Sequence, residues 1–384
     1  MQRWTIYLEG GPRRVNHAAV TVGETIYSFG GYCTGEDYET TRPMDVHVLD
    51  TVSFRWTLLP MPRSDPEKSC VPYQRYGHSA VSHQDCAYIW GGRNDKDGAC
   101  NILYQFDTGS QSWSQPDVIG KIPGARDGHS ACVIDCKMYI FGGYEEEIDR
   151  FSDDIYMLDF RTFTWSFVKT KGGAARWRDF HTATGIDHKM CIFGGRSDQG
   201  GNLFTNHEIY CNKIQIFDTQ TSTWCEPPTT GIQPIGRRSH SAFVYKGSLY
   251  IFGGYNGLHD LHFRDIFRFD PVRNHWSMVK VKGQGPCARR RQCCCLIGSR
   301  VFLFGGTSPA RQRDGSGMGN DNDLNLMDHS DLHVLDFSPT LKTLCQLAVL
   351  EYKLDTSCLP RDLRWELTVM TTNNSISRPL NSNG

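Results

Sequence analysis

The sequence predicts an all-β fold: a six-bladed β-propeller closed by an N-terminal strand and followed by a short C-terminal helical segment. Two repeated spacings predict it. A Gly-Gly pair stands thirteen residues after a histidine or glutamine in six successive units, at His17, His78, His129, His181, His240 and Gln292. An aspartate stands six residues before a tryptophan in five units, from Asp50 to Asp270. These two spacings recur every 51 to 61 residues, and this repeat indicates one four-stranded blade per unit.

Each part of the unit predicts one element of a blade. In the fifth unit, apolar segments 241–245 and 248–252 flank Lys246-Gly247, which indicates two strands joined by a tight turn. The Gly-Gly pair ends the second strand where the backbone approaches a neighbour closely or takes a positive φ. The aspartate ends the third strand and can cap the turn into the fourth. The tryptophan opens this outer strand, and we expect its ring to be buried against the neighbouring blade.

The sixth unit lacks its tryptophan, and the N-terminus offers one. Lys342 stands six residues after Asp336, whereas Trp4 opens an apolar segment, 4–8, that belongs to no unit. We expect this segment to be the outer strand of the sixth blade, so that the N-terminus closes the ring. The predicted domains are a propeller over 1–337, a helical segment over 338–370 and a polar, disordered tail over 371–384.

The composition indicates a soluble globular protein. The 384 residues carry a net charge of −1, with 39% hydrophobic and 12% aromatic residues. The near-neutral charge argues against nucleic acid as a partner, and no apolar run approaches a membrane-spanning length. The fifteen cysteines are an odd number without a secretory signal, so we expect reduced thiols in an intracellular protein, in the cytoplasm with the nucleus left open. Because no Cys-x-x-Cys pair is present, neither a metal nor another cofactor is predicted.

Extra residues between the second and third strands are concentrated in three units, over segments 32–45, 196–211 and 307–330. In an antiparallel blade these loops emerge on the same face as the connections between blades. Insertions gathered on one face usually mark a binding face. Segment 309–325 is rich in glycine and poor in apolar residues, which predicts a mobile loop. A tolerated surface loop is an equal alternative to a functional one.

Positions beside the repeated residues differ between blades, and a scaffold does not require this variation. By contrast, an arginine stands three residues before every histidine or glutamine of the repeat, and we expect it to brace neighbouring blades.

The variable positions supply candidate pocket residues. The two positions before each histidine or glutamine provide Asp127 and Asp179 on one side of the ring, and Arg238, Ser239, Arg290 and Arg291 on the other. The position after the Gly-Gly pairs adds Tyr32, Arg93, Tyr144, Arg196 and Tyr255. We predict a polarised central pocket that binds a carboxylate through arginines and a cation through aspartates. A network of arginine–aspartate bridges across the rim is the alternative.

The chain changes periodicity after Asp336. Ser338-Pro339 can start a helix, and apolar residues then follow at helical spacing over 341–352. One interpretation is an amphipathic helix packed under the propeller. Another interpretation rests on two short motifs. They are Thr340-Leu341 with Cys345 and Val349, and Leu359-Pro360 with Leu363 and Leu367.

The repeat and the two motifs together resemble the kelch-domain substrate receptors of cullin-2 RING ubiquitin ligases. The first motif is similar to an elongin-binding box, and the second is similar to a cullin-2 box. The second motif does not match a cullin-5 box, because Asp362 stands where a cullin-5 box carries proline. The resemblance implies that Thr340, Leu341, Cys345 and Val349 bind elongin B–elongin C. It also implies that cullin-2 binds Leu359, Pro360, Leu363 and Leu367, and that a RING-box protein is bound to cullin-2.

For the pocket, the resemblance implies recognition of protein C-termini that end in glycine, of the Arg-Gly or Lys-Gly type, for ubiquitination and proteasomal degradation. The terminal carboxylate would meet Arg196, Arg238 and Ser239, with Arg290 or Arg291, and a preceding basic residue would meet Asp127 or Asp179. A relative of this family has two arginines in the loop after the fourth Gly-Gly pair, where this sequence has Arg196 alone. Gly384 of this chain is a further candidate occupant, and an ordinary disordered end is the alternative.

The sequence predicts a non-catalytic protein, because no isolated nucleophile–base pair, phosphate loop or metal cluster is recognisable. The alternative to a ligase receptor is a kelch scaffold for cytoskeleton or chromatin, in which segment 338–367 serves packing only. A kelch oxidase with a copper site is a third possibility. It would need tyrosine, histidine and cysteine ligands outside the repeat and a secreted chain, and the sequence indicates neither.

Overall fold

The structure, a computed structural model, describes residues 1–39, 41–61, 70–205, 207–310 and 326–378. Its strands form six antiparallel sheets arranged as blades around a central channel, which confirms the predicted propeller. Blade 1 contains Ala18–Val22, Thr25–Phe29, Val46–Asp50 and Arg55–Leu58. Blade 2 contains Tyr76–His83, Cys86–Asn94, Tyr104–Asp107 and Ser112–Ser114, with Gly98–Ala99 beside its second strand. Blade 3 contains Ser130–Ile134, Lys137–Phe141, Ile155–Asp159 and Thr164–Phe167.

The remaining blades repeat this order. Blade 4 contains Thr182–Ile186, Lys189–Phe193, Gln215–Asp218 and Thr223–Cys225. Blade 5 contains Ser241–Tyr245, Ser248–Phe252, Ile266–Asp270 and His275–Met278. Blade 6 contains Arg290–Ile297, Arg300–Pro309, Leu332–Asp336 and the N-terminal strand Arg3–Leu8, with Leu326–Asp328 beside its second strand. Trp4 pairs with Leu335 in this sheet, so the predicted closure of the ring by the N-terminus is confirmed.

Short hairpins extend three blades beyond their Gly-Gly pairs. They are Tyr144–Glu145 with Arg150–Phe151, Ser197–Asp198 with Glu208–Ile209, and Tyr255–Asn256 with Leu261–His262. The first includes a 3-10 helix over Glu146–Ile148. Because the second strand of every blade runs toward its Gly-Gly pair, the hairpins, the repeated histidines and the connections between blades share one face, which we call the Gly-Gly face.

The hydrophobic core is divided among the six interfaces between blades. One cluster of buried residues lies at each interface. The tryptophan that opens each outer strand packs against the preceding blade: Trp56, Trp113, Trp165, Trp224, Trp276 and Trp4. Trp4 therefore occupies the position that the sixth unit lacks. The predicted burial is confirmed for five of the six tryptophans, and Trp113 is half-buried.

The repeated aspartates cap the outer turns as predicted. Asp50 Oδ1 accepts hydrogen bonds from the backbone N–H groups of Val52 and Ser53. Asp270 Oδ1 does the same for Val272 and Arg273. These turns lie on the face opposite the Gly-Gly face, which we call the turn face, because the third strand runs away from the hairpins.

Two helices follow the propeller, α1 over Leu341–Glu351 and α2 over Arg361–Thr371. Val369 of α2 packs into the cluster between blades 6 and 1. A groove between the helices and the propeller is lined by Val52 and Arg300, so the helix pair lies at the turn face. Among the described residues, no helix combines the length and apolar character needed to cross a membrane.

The expectation of a disordered tail from residue 371 is wrong for its first part. The Ser377 N–H donates to Trp56 O at 3.1 Å and the Leu58 N–H donates to Ser377 O at 2.9 Å, parallel to the outer strand of blade 1. The physical reason is the open edge of that strand, whose backbone groups need partners. In blades 3 and 5 the same edge is covered by the short parallel strands Ile119–Gly120 and Thr230–Gly231. Gly384 and its predicted occupancy of the pocket lie outside the described residues, as does most of segment 309–325.

Replacing Ser377 with proline is expected to lower the free energy of unfolding by about 1–2 kcal/mol, because proline removes the N–H that binds Trp56 O. Urea unfolding followed by tryptophan fluorescence measures the change. Ser377→Ala is the control, since it keeps the N–H and loses only the hydroxyl contacts with Thr57 and Trp56 O. Equal stability of the proline variant and the wild-type chain would contradict the pairing.

Candidate functional site

A closed ring of six backbone hydrogen bonds surrounds the channel at the Gly-Gly face. Its members, one per blade, directly precede the repeated histidines and glutamine: Asn16, Gly77, Gly128, Phe180, Ser239 and Arg291. The N–H of each donates to the carbonyl of the preceding member, with N···O distances of 2.7 to 3.3 Å. All six have φ between 48° and 69°, which is unusual for residues other than glycine. Their N–H groups are engaged in the ring, so a ligand at the channel must bind through other groups.

The histidines below the ring join neighbouring blades. His78 Nε2 lies 3.0 Å from Phe29 O, and His129 Nε2 lies 2.8 Å from Ser79 Oγ, each in the preceding blade. Burial lowers the pKa of both rings to about 3, so they are neutral. With the ring residues, the histidines line a cavity of about 130 Å³. Their periodic contacts support the structural role predicted for them.

The repeated arginines brace their own blades through the side chain, which corrects the expectation. Arg126 Nη1 donates to Gly142 O of the same blade at 3.1 Å. Its backbone carbonyl accepts from the Gly92 N–H of the preceding blade at 2.9 Å. The guanidinium thus binds a carbonyl of the Gly-Gly pair in its own blade, and the link between blades is made by the backbone.

The residues predicted to form the pocket are brought together as cross-strand pairs around the ring. The position before each ring residue pairs antiparallel with the position after the Gly-Gly pair. The pairs are Val15–Tyr32, Tyr76–Arg93, Asp127–Tyr144, Asp179–Arg196, Arg238–Tyr255 and Arg290–Thr307. Ser239 and Arg291 line the cavity itself, while these pairs stand on the rim beside it.

Arg196 and Arg238, which we call the arginine pair, converge on one carboxylate. Arg196 Nε lies 3.1 Å and Arg238 Nη1 lies 3.0 Å from Glu208 Oε1. The side chain of Arg196 is 7% exposed and that of Arg238 is 22% exposed. Glu208 lies in the hairpin of blade 4, on the strand paired with Ser197–Asp198. Two guanidinium groups from neighbouring blades thus form a partly buried carboxylate-binding site.

Two aromatic rings hold Arg196 in place. Its guanidinium lies 3.9 Å from the ring centre of Phe204 and 5.7 Å from that of Phe151. Phe204 is 51% exposed and comes from the same insertion as Glu208. Neither Phe204 nor Glu208 belongs to the repeat, so the repeat comparison missed both. The single apolar pair Leu203-Phe204 in a polar insertion was the available signal.

The two aspartates of the predicted acidic side are buried. Burial raises the pKa of Asp127 and of Asp179 to about 7. The positive charge of Arg93 lowers the pKa of Asp127, and that of Arg238 lowers the pKa of Asp179, but burial outweighs both. Both carboxyl groups are therefore only partly ionised near neutral pH. Both aspartates lie in blades 3 and 4, and Arg238 and Arg290 lie in blades 5 and 6, which is the predicted distribution. Asp179 pairs across the strands with Arg196, so the two sides meet in blade 4.

The other predicted pocket residues have defined partners. Tyr255 packs against both Arg238 and Arg290, whose guanidinium groups lie 5.5 and 4.3 Å from its ring centre. Arg93 forms an ion pair with Glu146 at 3.2 Å. The hydroxyl group of Tyr144 donates to Asp149. Tyr32 is fully buried and donates to Gln74 O at 2.9 Å, so it supports the pocket wall and does not face a ligand.

Several buried polar atoms of the rim lack hydrogen-bond partners among the described residues. They include Arg93 Nε, Asp179 Oδ1 and Arg196 Nε, whose N–H is not aligned with the nearby Glu208. Buried polar groups without partners are rare in folded proteins, and each calls for a specific explanation. The positions of Asp179 Oδ1 and Arg196 Nε at the carboxylate-binding site are those expected of a polar binding site.

The residues of the elongin-box motif lie on α1. Thr340 caps the helix by accepting the Thr343 N–H at 3.1 Å. Leu341 is 77% exposed, Cys345 is also exposed and Val349 is half-buried. This surface is therefore open to a partner, as the motif requires.

The residues of the cullin-box motif surround the start of α2. Pro360 is exposed, and Leu359 and Leu363 are half-buried. Leu367 is 5% exposed, because it lies on the face of α2 that is turned toward the rest of the protein, and its contact with a partner stays a prediction. Glu366 ties α2 to α1 through Lys342 Nζ at 2.6 Å.

Comparison with known proteins identifies the class. The sequence matches the family model described as the KLHDC2/KLHL20/DRC7 Kelch-repeats domain over residues 77–306, and the Kelch motif over residues 13–62. The chain belongs to the kelch-repeat propeller family. It is 59% identical to kelch domain-containing protein 3 of Bos taurus and 58% identical to that of Homo sapiens, over 382 residues and 99% of each chain. Host cell factor 2 of Homo sapiens is 29% identical over 253 residues, which is 62% of this chain and 31% of that protein.

Proposed function

We propose that this protein is the non-catalytic substrate receptor of an intracellular cullin-2–elongin B/C RING ubiquitin ligase. Its pocket binds protein C-termini that end in glycine, and its helix pair binds the ligase partners. The observation that carries this proposal is the convergence of Arg196 and Arg238 on one carboxylate oxygen at 3.1 and 3.0 Å. A C-terminal carboxylate is a ligand of the same chemistry.

The preference for glycine follows from the ring beside the arginine pair. Its six members are joined by backbone hydrogen bonds and cannot separate without breaking them. We infer that a ligand whose carboxylate lies at the arginine pair would bring its last Cα against this closed ring. A side chain on that Cα would require the ring to move, whereas glycine needs no such movement. Substrates are therefore expected to end in glycine.

The position of the helices supports a receptor that binds substrate and ligase together. The arginine pair lies at the Gly-Gly face, and α1 and α2 lie at the turn face beside Val52 and Arg300. Elongin C bound to the exposed Leu341 and Cys345 would leave the pocket open. Cullin-2 would bind beside Pro360, and its RING-box protein would bring the ubiquitin-charged enzyme. A pocket and a docking surface on opposite faces suit a bridging role.

The test is the affinity of the full chain for a fluorescent peptide that ends in Arg-Gly, measured by fluorescence polarisation. Amidation of the terminal carboxylate is expected to weaken binding by at least about thirtyfold, because it removes the charge that the arginine pair binds. A peptide with alanine in place of the last glycine is expected to bind about tenfold more weakly. Equal affinity for the free and amidated peptides would refute the proposal.

A further inference from the structure

Glu208 stands where the ligand carboxylate is expected to bind. Its Oε1 contacts both members of the arginine pair, and its Oε2 accepts a hydrogen bond from the hydroxyl group of Tyr210. A Cβ at Gly257 would lie 2.5 Å from Oε2, so the blade 5 hairpin closes in on the carboxylate from the other side. The carboxylate of Glu208 is therefore held in a defined position between blades 4 and 5.

Arg196 has contacts that hold it independently of Glu208. Its Nη2 donates to Thr205 O at 2.7 Å, and its guanidinium lies against Phe204. The Arg238 guanidinium donates to Glu208 at 3.0 Å and lies 5.5 Å from the ring centre of Tyr255. The backbones of both arginines are fixed by cross-strand pairing. A neutral side chain that keeps the oxygen acceptor at position 208 would therefore remove the charge, retain an acceptor for Arg238 and raise the positive potential at the site.

We propose that Glu208 is an internal competitor that occupies the arginine pair in the empty pocket and yields it to the ligand carboxylate. This inference rests on the proposed function and adds a residue that limits affinity and sets specificity. A displaced Glu208 carboxylate remains near the end of the ligand, because its hairpin is short. It would attract a basic side chain before the last glycine and repel an acidic one. Glu208 then takes the role that the sequence suggested for Asp127 or Asp179.

The experiment replaces Glu208 with glutamine, which keeps the size of the side chain and an acceptor for Tyr210. We expect Glu208→Gln to bind the Arg-Gly peptide with a free carboxylate about fivefold to tenfold more tightly than the wild-type chain, since a competing charge is removed. Its affinity for the amidated peptide is expected to stay the same. Discrimination between peptides ending in Arg-Gly and Glu-Gly is expected to shrink by a similar factor.

Glu36→Gln is the matched control. Glu36 also lies in a blade insertion and bridges two arginines, Arg14 Nη1 at 3.5 Å and Arg42 Nη2 at 3.3 Å, but it is remote from the arginine pair. We expect no change in peptide affinity for this variant. Tyr210→Phe, which loses the hydroxyl contact with Glu208, is a second variant and should tighten binding by about twofold. Thermal unfolding midpoints close to that of the wild-type chain show that the variants are folded.

The outcomes separate this inference from the proposed function. If the wild-type chain prefers the free carboxylate and Glu208→Gln binds it no more tightly, the proposed function stands and the inference is overturned. Weaker binding by Glu208→Gln would likewise overturn it, and would make Glu208 a residue that positions the arginines. If neither chain prefers the free carboxylate to the amide, both proposals fail.

Discussion

Replacement of Arg238 with alanine is expected to weaken the binding of a peptide with a free C-terminal carboxylate by about a hundredfold. Arg238 is one of two guanidinium groups that converge on the carboxylate site, and its side chain is 22% exposed. A charge-assisted hydrogen bond in such a partly buried site contributes about 2–3 kcal/mol, which corresponds to that factor. Fluorescence polarisation with the Arg-Gly peptide measures the loss.

The control for this prediction is Arg268→Ala in the same blade. Arg268 pairs with Asp270 at 3.7 Å on the turn face and is 42% exposed, so its removal should not change peptide affinity. Arg238→Ala should also become less sensitive to amidation of the peptide, because Arg196 alone remains to bind the charge. An Arg238→Ala variant that distinguishes the carboxylate from the amide as strongly as the wild-type chain would show that other residues, such as Arg290 or Arg291, form the site.

The parts of the fold that the sequence predicts are those that repeat. The position of Trp4 in blade 6 follows from five other tryptophans with the same spacing, and the structure buries it at the corresponding interface. The tail could not be predicted in this way. Ser377 pairs with the strand of Thr57, more than 300 residues away, chiefly through backbone groups that any sequence supplies. Pairing between backbone groups leaves no pattern in the side chains.

The candidate site also contains residues that the repeat predicts and residues that it does not predict. The repeat placed Arg196, Arg238 and Asp179 on the rim, because equivalent positions of successive blades must surround the channel. The repeat could not place Glu208, which occurs in one insertion and reaches the arginine pair only when that insertion forms a hairpin with Asp198 opposite Glu208. The sequence also does not show that the carboxyl groups of Asp127 and Asp179 are buried, so their raised pKa values could not be predicted.

The ring of positive φ angles could not be predicted from the residue types. Gly77, Gly128 and Asn16 are residues that tolerate the left-handed region, but Phe180 and Arg291 are not. Variation between blades at these positions suggested ligand contacts for Ser239 and Arg291. In the structure the backbone at these positions has one common role, and the side chains alone differ. Variation between blades therefore marks the side chains of Ser239 and Arg291 as candidates and excludes their N–H groups.

Replacement of Leu341 with arginine is expected to weaken capture of purified elongin B–elongin C by at least about a hundredfold. Leu341 is 77% exposed at the start of α1 and would be buried by a partner, where an unpaired charge costs several kcal/mol. The same exposure means that the substitution should change the free energy of unfolding by less than about 0.5 kcal/mol. Loss of capture would therefore not result from unfolding of the propeller.

Leu354→Arg provides the matched control, because Leu354 is 54% exposed just beyond α1 and lies outside both motifs. Surface plasmon resonance with immobilised elongin B–elongin C should separate the two variants. Peptide binding at the Gly-Gly face should be unchanged in both, since the helices lie at the turn face. If Leu341→Arg and Leu354→Arg bind elongin equally well, α1 serves packing only. A kelch scaffold without ligase coupling would then be the better description of the protein.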